Sequence, residues 1–186
     1  IRLRKSGRNI KAIKKAERMT LLTKNKSVIV VGGGAAGLMS AIHSAWSGAE
    51  VIIFEKNSRP ARKVLITGKG RCNVTNNCSI ETVMNNTPTN PKFLYSALNR
   101  FSPEDTMSFF EMLGVELKTE RGNRVFPVSD KAKDIADALI SCAESAGCSI
   151  YEKNIKSLII ENNTIKGVKD SNGVEYFADS VILACG

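Results

Sequence analysis

A chain of 186 residues can bury one ordinary core, and its 42% hydrophobic and 24% charged residues are those of a globular protein. No stretch approaches the roughly 18 consecutive apolar residues of a membrane span, and five cysteines with no C-x-x-C pair give no support to a zinc site or disulfide framework. The net charge of +9 points to nucleic acid only until its location is read. Residues 1–18 hold eight Lys or Arg against Glu17 alone, a charge of +7 that leaves +2 for the other 168 residues. The basicity therefore belongs to a leader, residues 1–26, and not to the fold. A nucleic-acid or membrane-surface arm is the rival reading of that leader. A transit peptide would need more Ser and an apolar face. With Met19 as an alternative start, residues 1–18 read as upstream translated sequence or a disordered tail. Neither a nucleic-acid partner nor a membrane is expected, and reduced thiols place the protein in the cytoplasm.

Ser27–Val31 is a continuously apolar, β-branched run, as expected of a strand buried in a parallel sheet. It runs into Gly32-Gly33-Gly34-Ala35-Ala36-Gly37, then a helix over Leu38–Ser47 that Gly48 stops, then a strand over Val51–Phe54 ending in Glu55. Residues 57–78 read as irregular and glycine-punctuated, and Asn85–Pro91 as a loop. Helices are predicted over Pro91–Arg100, from the Ser102 cap with Pro103 to Gly114, and from Asp130 to Gly147, with Ile135, Leu139, Cys142 and Ala143 on the buried face of the last. Val115–Lys118 and Val125–Phe126 are predicted strands around Arg121-Gly122-Asn123. Four more follow at Ser149–Glu152, Ser157–Glu161, Thr164–Lys169 and Val174–Phe177, and a last buried-type strand spans Ser180–Ala184. The chain starts at Ile1 and stops just after that strand, so it reads as a fragment.

Gly32-x-Gly34-x-x-Gly37 would be weak evidence alone. Here it follows a buried strand, opens a helix and precedes an acid at the end of the next strand, the context a dinucleotide fingerprint needs. Gly32 permits the turn, Gly34 lets backbone approach a pyrophosphate, and Gly37 allows close helix–strand contact. Phosphates then meet free N–H groups at the positive end of the helix dipole. Glu55, 18 positions after Gly37, suits ribose hydroxyls and would repel a 2′-phosphate. Residues 61–76 decide FAD against NAD. An NAD dehydrogenase would continue its parallel sheet there, whereas this chain supplies a basic, glycine-containing loop in which Lys63, Arg71 and Asn73 offer donors to a second stretch of cofactor. A merely solvated loop is the bland alternative. His43 reads as a packing or surface residue, Cys72 as a small buried one and Trp46 as core or edge packing. No metal site is expected.

Together, G-G-G-A-A-G-L, F-E-K, R-K-V-L-I-T-G-K-G-R-C-N-V-T-N and R-V-F-P-V-S-D-K-A make residues 27–186 resemble the BaiN-type (YhiN-like) NAD(P)/FAD-dependent oxidoreductases. That group includes aminoacetone-oxidase-like and bile-acid-reductase-like proteins. The resemblance implies that Gly32, Gly34, Ala35, Ala36, Gly37, Glu55 and Lys56 hold the ADP part of FAD. It implies that Lys63, Gly70, Arg71, Cys72, Asn73 and Val74 approach the flavin, that the backbone of Ile155 meets adenine, and that Ala184-Cys185-Gly186 passes the cofactor. Family members continue into a substrate-side cap and return to complete the FAD domain.

The expected fold is thus α/β, a Rossmann-like FAD/NAD(P)-binding domain with a parallel sheet, a helical insertion over about 79–147 and a small antiparallel β-meander over 149–178. The expected parent is an FAD-dependent oxidoreductase acting on a small molecule, with NAD(P)H as a candidate electron donor and no catalytic residue assignable. Two rivals stand beside it: an NAD-binding dehydrogenase module, and a non-catalytic nucleotide-binding protein driven by the basic leader. Neither substrate nor oligomeric state is legible.

Overall fold

The computed structural model describes residues 26–186, so the expected leader lies, apart from Lys26, outside the described residues. The chain runs β1 (Ser27–Val31), α1 (Ala35–Trp46), β2 (Glu50–Glu55), α2 (Arg62–Ile66), β3 (Thr75–Asn76), α3 (Ile80–Asn85), α4 (Tyr95–Arg100) and α5 (Pro103–Met112). It continues through β4 (Leu117–Glu120), β5 (Arg124–Pro127), α6 (Ala132–Ser145), β6 (Ser149–Glu152), β7 (Ile155–Glu161), β8 (Thr164–Asp170), β9 (Glu175–Phe177) and β10 (Ser180–Leu183). Short 3-10 turns lie at Thr67–Gly70 and Pro91–Leu94.

The central sheet is parallel, in the order β10-β1-β2-β6. β1 and β2 are apolar on both faces because both faces are covered. Val28, Val30, Val51 and Ile53 turn towards α1 and α6, packing with Leu38, Ala41, Ile42, Ile135, Ala136, Leu139 and Ala143. Ile29, Val31, Ile52 and Phe54 turn the other way, against Val168, Leu158 and Tyr176 of the antiparallel sheet β7-β8-β9. Three layers result, with the parallel sheet in the middle. Each fully buried Ile or Leu contributes about 1.5–3 kcal/mol of transfer free energy, and Leu38, Ile42, Ile53 and Leu139 all lie between α1, α6 and the sheet. The same alternation puts Glu55 on the helix side of β2, beside the start of α1.

Elsewhere the chain follows or departs from its sequence signals for local reasons. The Ser102 hydroxyl caps α5 by accepting from the Asp105 N–H at 3.1 Å, and the Asp105 carboxylate accepts from the Ser102 N–H at 2.8 Å. Gly114 ends that helix at φ +81°. Asn162 and Asn163 both take positive φ in the two-residue turn between β7 and β8, as a tight hairpin requires. The helix expected from Asp130 starts two residues later, because Asp130 sits at φ +58° and Lys131 is extended. The expected strand Val115–Lys118 is shifted to Leu117–Glu120. The insertion is not purely helical, since β4 and β5 pair antiparallel inside it and β3, just before it, adds to β5.

The meander is also shorter than expected. Ser149–Glu152 pairs parallel with Ile52–Glu55 and belongs to the main sheet, and the antiparallel part begins at Ile155. α6 leads directly into β6, and a helix that packs on a sheet and then feeds a strand returns it parallel to its neighbours.

Candidate cofactor site

The fingerprint glycines serve three different needs. Gly32 stands at φ +104°, donates its N–H to the Phe54 carbonyl at 2.8 Å, and would place a Cβ 2.5 Å from the Ala184 carbonyl oxygen. A Cβ on Gly37 would collide with the Gly32 carbonyl oxygen, so α1 can follow the turn this closely only with glycine there. Gly34 is different. Its φ is ordinary, and a Cβ there would meet nothing within 4 Å, because it would project into an open cavity. Gly34 caps α1 without a side chain, and the first helical bond runs from the Leu38 N–H to the Gly34 carbonyl at 2.9 Å. The N–H groups of the first turn therefore have no intrahelical acceptor, and Ala35 and Ala36 line the same cavity.

Glu55 is 8% exposed and hydrogen-bonded through both oxygens. Oε2 accepts from the Gly33 N–H at 2.7 Å, and Oε1 accepts from the Asn57 N–H at 2.9 Å and from Asn57 Nδ2. The carboxylate thus fixes the fingerprint turn to the end of β2. A carboxylate has about four acceptor positions, so one remains on Oε2 for a ligand in the cavity that Glu55 lines.

That cavity has a volume of about 610 Å³. It brings together Gly32, Gly34, Ala35, Ala36, Glu55, Lys56, Lys63, Cys72, Asn73, Val74, Ala184 and Gly186, all expected from the sequence and drawn from segments up to 154 positions apart. Lys63 approaches the last turn, its Nζ 3.2 Å from where a Gly186 Cβ would lie. Four expected residues do not line it. Gly37 works from behind the turn, as above. Gly70, at φ +84°, closes a run of three left-handed residues with Gly68 and Lys69 and so shapes the loop. Ile155 packs between the parallel sheet and the meander with the cluster of Ile29, Phe54 and Val168. Arg71 departs most from expectation: its guanidinium is engaged with Glu120 and Asp130, 49 and 59 positions away, and lies over the Phe126 ring at 4.2 Å.

The apolar wall was not foreseen. Met39, Phe101, Phe110, Ile135 and Leu139, with Thr106 among them, form an apolar part of the lining. Their sequence signal, helical spacing of apolar residues, marks a buried face without saying that part of it fronts a cavity. Ala61 also lines the cavity, at φ +58°, with its N–H donated to the Gly33 carbonyl at 2.8 Å. Cys72 is buried, which pushes its thiol pKa up against a smaller opposing hydrogen bond with Thr67, so the thiol is held in its unreactive form. His43 is exposed and packs edge-on against Trp46 and Phe101 at 5.3 and 5.9 Å. Among the described residues no cluster of His, Cys, Asp or Glu could hold a metal, and no helix is long and apolar enough to cross a membrane.

Residues 26–186 match the family model for the HI0933-like protein Rossmann domain. Among curated proteins the chain is 33% identical over 159 residues to a 3-dehydro-bile acid delta(4,6)-reductase of Clostridium scindens, a match covering 84% of this chain and 38% of that protein. It is 27% identical over 158 residues to a ribosomal RNA dihydrouridine synthase of Escherichia coli, covering 85% and 38%. The chain therefore spans about two fifths of the length of these relatives. Among solved structures, Thermovibrio ammonificans THI4 superposes with a TM-score of 0.56 at 16% identity, over 98% of this chain and 67% of the other. A glycine oxidase from Bacillus cereus gives 0.53 at 17% identity, over 87% and 55%. At such identities the likeness is one of fold.

Proposed function

The chain belongs to the HI0933-like Rossmann-domain family, and on that premise we propose that it carries the FAD site of a flavin-dependent oxidoreductase. One observation carries the reading: the fingerprint turn, the open end of α1, Glu55 and the segment Cys72–Val74 after the glycine-rich loop all front a single cavity. The residues fit the cofactor. The space beyond Gly34 admits a pyrophosphate against the first-turn N–H groups of α1, where the helix dipole favours anions. The free acceptor position of Glu55 suits a ribose hydroxyl, and its charge disfavours a 2′-phosphate. Lys56, Arg62 and Lys63 add three cations to the wall. Cys72, Asn73 and Val74 offer a second stretch of wall that a mononucleotide anchored at the fingerprint would leave untouched.

When bound, FAD supplies hydride transfer through its N5. The work of this chain is to bind the cofactor, orient it and keep water from its apolar side with Met39, Phe110, Ile135 and Leu139. NAD(P)H as electron donor and a small-molecule substrate belong to the same reading, as does a cytoplasmic setting suited to five unpaired cysteines. One relative is named for a bile acid and another for ribosomal RNA, so an RNA substrate is the second reading of the partner. The test is direct. Purified protein should show flavin absorbance and release FAD on denaturation. Release of FMN alone would overturn the reading, since FMN has no adenosine ribose for Glu55.

A further inference from the structure

Arg71 follows a run of left-handed residues, Gly68, Lys69 and Gly70, and precedes Cys72, Asn73 and Val74 on the cavity wall. Its side chain is spent elsewhere. Nε and Nη2 both donate to Asp130 Oδ1, at 2.9 and 2.6 Å, while Nη1 and Nη2 donate to the two carboxylate oxygens of Glu120 at 3.2 and 2.5 Å. A guanidinium has five N–H donors, and four are used. Lys118 completes the cluster by reaching Asp130 at 2.8 Å. An isolated surface ion pair contributes little, but bidentate geometry within a network of several charges is the exception. The backbone agrees with the side chain. The Val74 N–H donates to the Val125 carbonyl at 2.9 Å, and Gly68 lies so close to the Phe126 ring that a Cβ would come within 3.2 Å of it. The loop is docked on the β4–β5 hairpin from two sides.

From this geometry we infer that Arg71 is a positioning residue. It does not line the cavity, and it fixes the Cys72–Val74 wall on the β4–β5 hairpin so that Glu120 and Asp130 govern the grip on the flavin end of the cofactor. The inference rests on the FAD reading above and extends it to residues that do not front the cavity. The ADP end, held by the fingerprint and Glu55, is independent of the clamp. Lysine has no fork with which to engage both carboxylates, so Arg71→Lys restores only part of the effect.

The experiment compares equilibrium binding of FAD and of ADP to four proteins: wild type, Arg71→Ala, Glu120→Gln with Asp130→Asn, and the triple variant. Arg71→Ala should weaken FAD by roughly three- to tenfold and leave ADP within about twofold, because coupled neighbours are lost together and distant sites are not. The acid pair should do the same, and the triple variant should bind FAD no more weakly than either. Should Arg71→Ala not fold, the FAD-to-ADP ratio of the acid pair decides. An unchanged FAD affinity, a parallel loss of ADP, or losses that add in the triple variant would each overturn the inference. Wild type that binds ADP but not FAD would overturn the FAD reading first, and is distinguishable on that ground.

Discussion

Glu55 and Gly34 show how much a single position can carry. Glu55 holds the turn together from inside, through Gly33 and Asn57, and keeps one acceptor position for the cavity. Replacing it with Gln keeps the shape, removes the charge and leaves one acceptor oxygen instead of two. The amide NH2 must then face an N–H donor of either Gly33 or Asn57, while the bonds that remain become weaker neutral ones. We expect Glu55→Gln to weaken FAD binding on the order of tenfold, which corresponds to about 1.4 kcal/mol; a fluorescence titration with an unchanged dissociation constant would remove the ribose role. The glycines give a sharper contrast. Gly34→Ala adds a methyl to open space, so the melting temperature should hold while the flavin content of purified protein falls. Gly32→Ala forces a side chain into a left-handed position against the Ala184 carbonyl, so it should lower the melting temperature itself. If the two variants behave alike, the division of roles between them is wrong. The place of Glu55 beside the fingerprint turn was legible because strand, turn and acid all lie within one βαβ unit. Arg71 was not: it offers donors in any environment, and the two carboxylates that claim it are far along the chain.

Elements were read well where their signals are local. α5 announces itself through Ser102, Pro103 and Asp105, and the structure holds the full reciprocal cap. Ser102→Ala should therefore cost about 0.5–2 kcal/mol of stability, seen as a lower urea midpoint in cofactor-free protein. A loss near zero would mean that packing of Phe109 and Phe110 alone holds the helix. β1 was legible for a related reason, since an apolar β-branched run with no polar alternation has to be buried on both faces. β6 shows the limit of such reading. Ser149–Glu152 has the pattern of a strand, but nothing in four residues names its partner, and it joins β2 in parallel instead of β7 in a hairpin. β3, two residues long, exists only because β5 is there to pair with it. The apolar cavity wall was hidden likewise, because helical spacing identifies a buried face and does not tell protein from ligand on the other side.

At the scale of the whole molecule, carboxylates join segments that the chain keeps far apart, and this sets the response to acid. Arg71 holds the Glu120 carboxyl below its ordinary pKa; Lys118 first, and Arg71 with it, does the same for Asp130. On α6, Asp137 is held low by Lys133 first and then by Arg59, which ties the loop after β2 to the helix layer. For Asp170 burial pushes the pKa up, but N–H donors from Val174 and Asn172 and the Tyr176 hydroxyl outweigh it. A carboxyl whose folded pKa lies below its unfolded value binds its proton more readily in the unfolded chain. Its contribution is complete above the unfolded value, near pH 4 to 4.5, and is lost as pH falls through the folded value. Acid also adds positive charge to a chain that already carries +9 at pH 7. The urea midpoint should therefore lose nothing from these groups between about pH 7 and 5 and fall steadily below about pH 4.5. Arg71→Ala lowers the neutral-pH midpoint and flattens the acid decline, because Glu120 and Asp130 then titrate nearer their ordinary values in both states. Midpoints measured from pH 7 to pH 2.5 on both proteins test this, and an acid decline of equal depth in the variant would show that the Arg71 cluster takes no part in holding loop to hairpin.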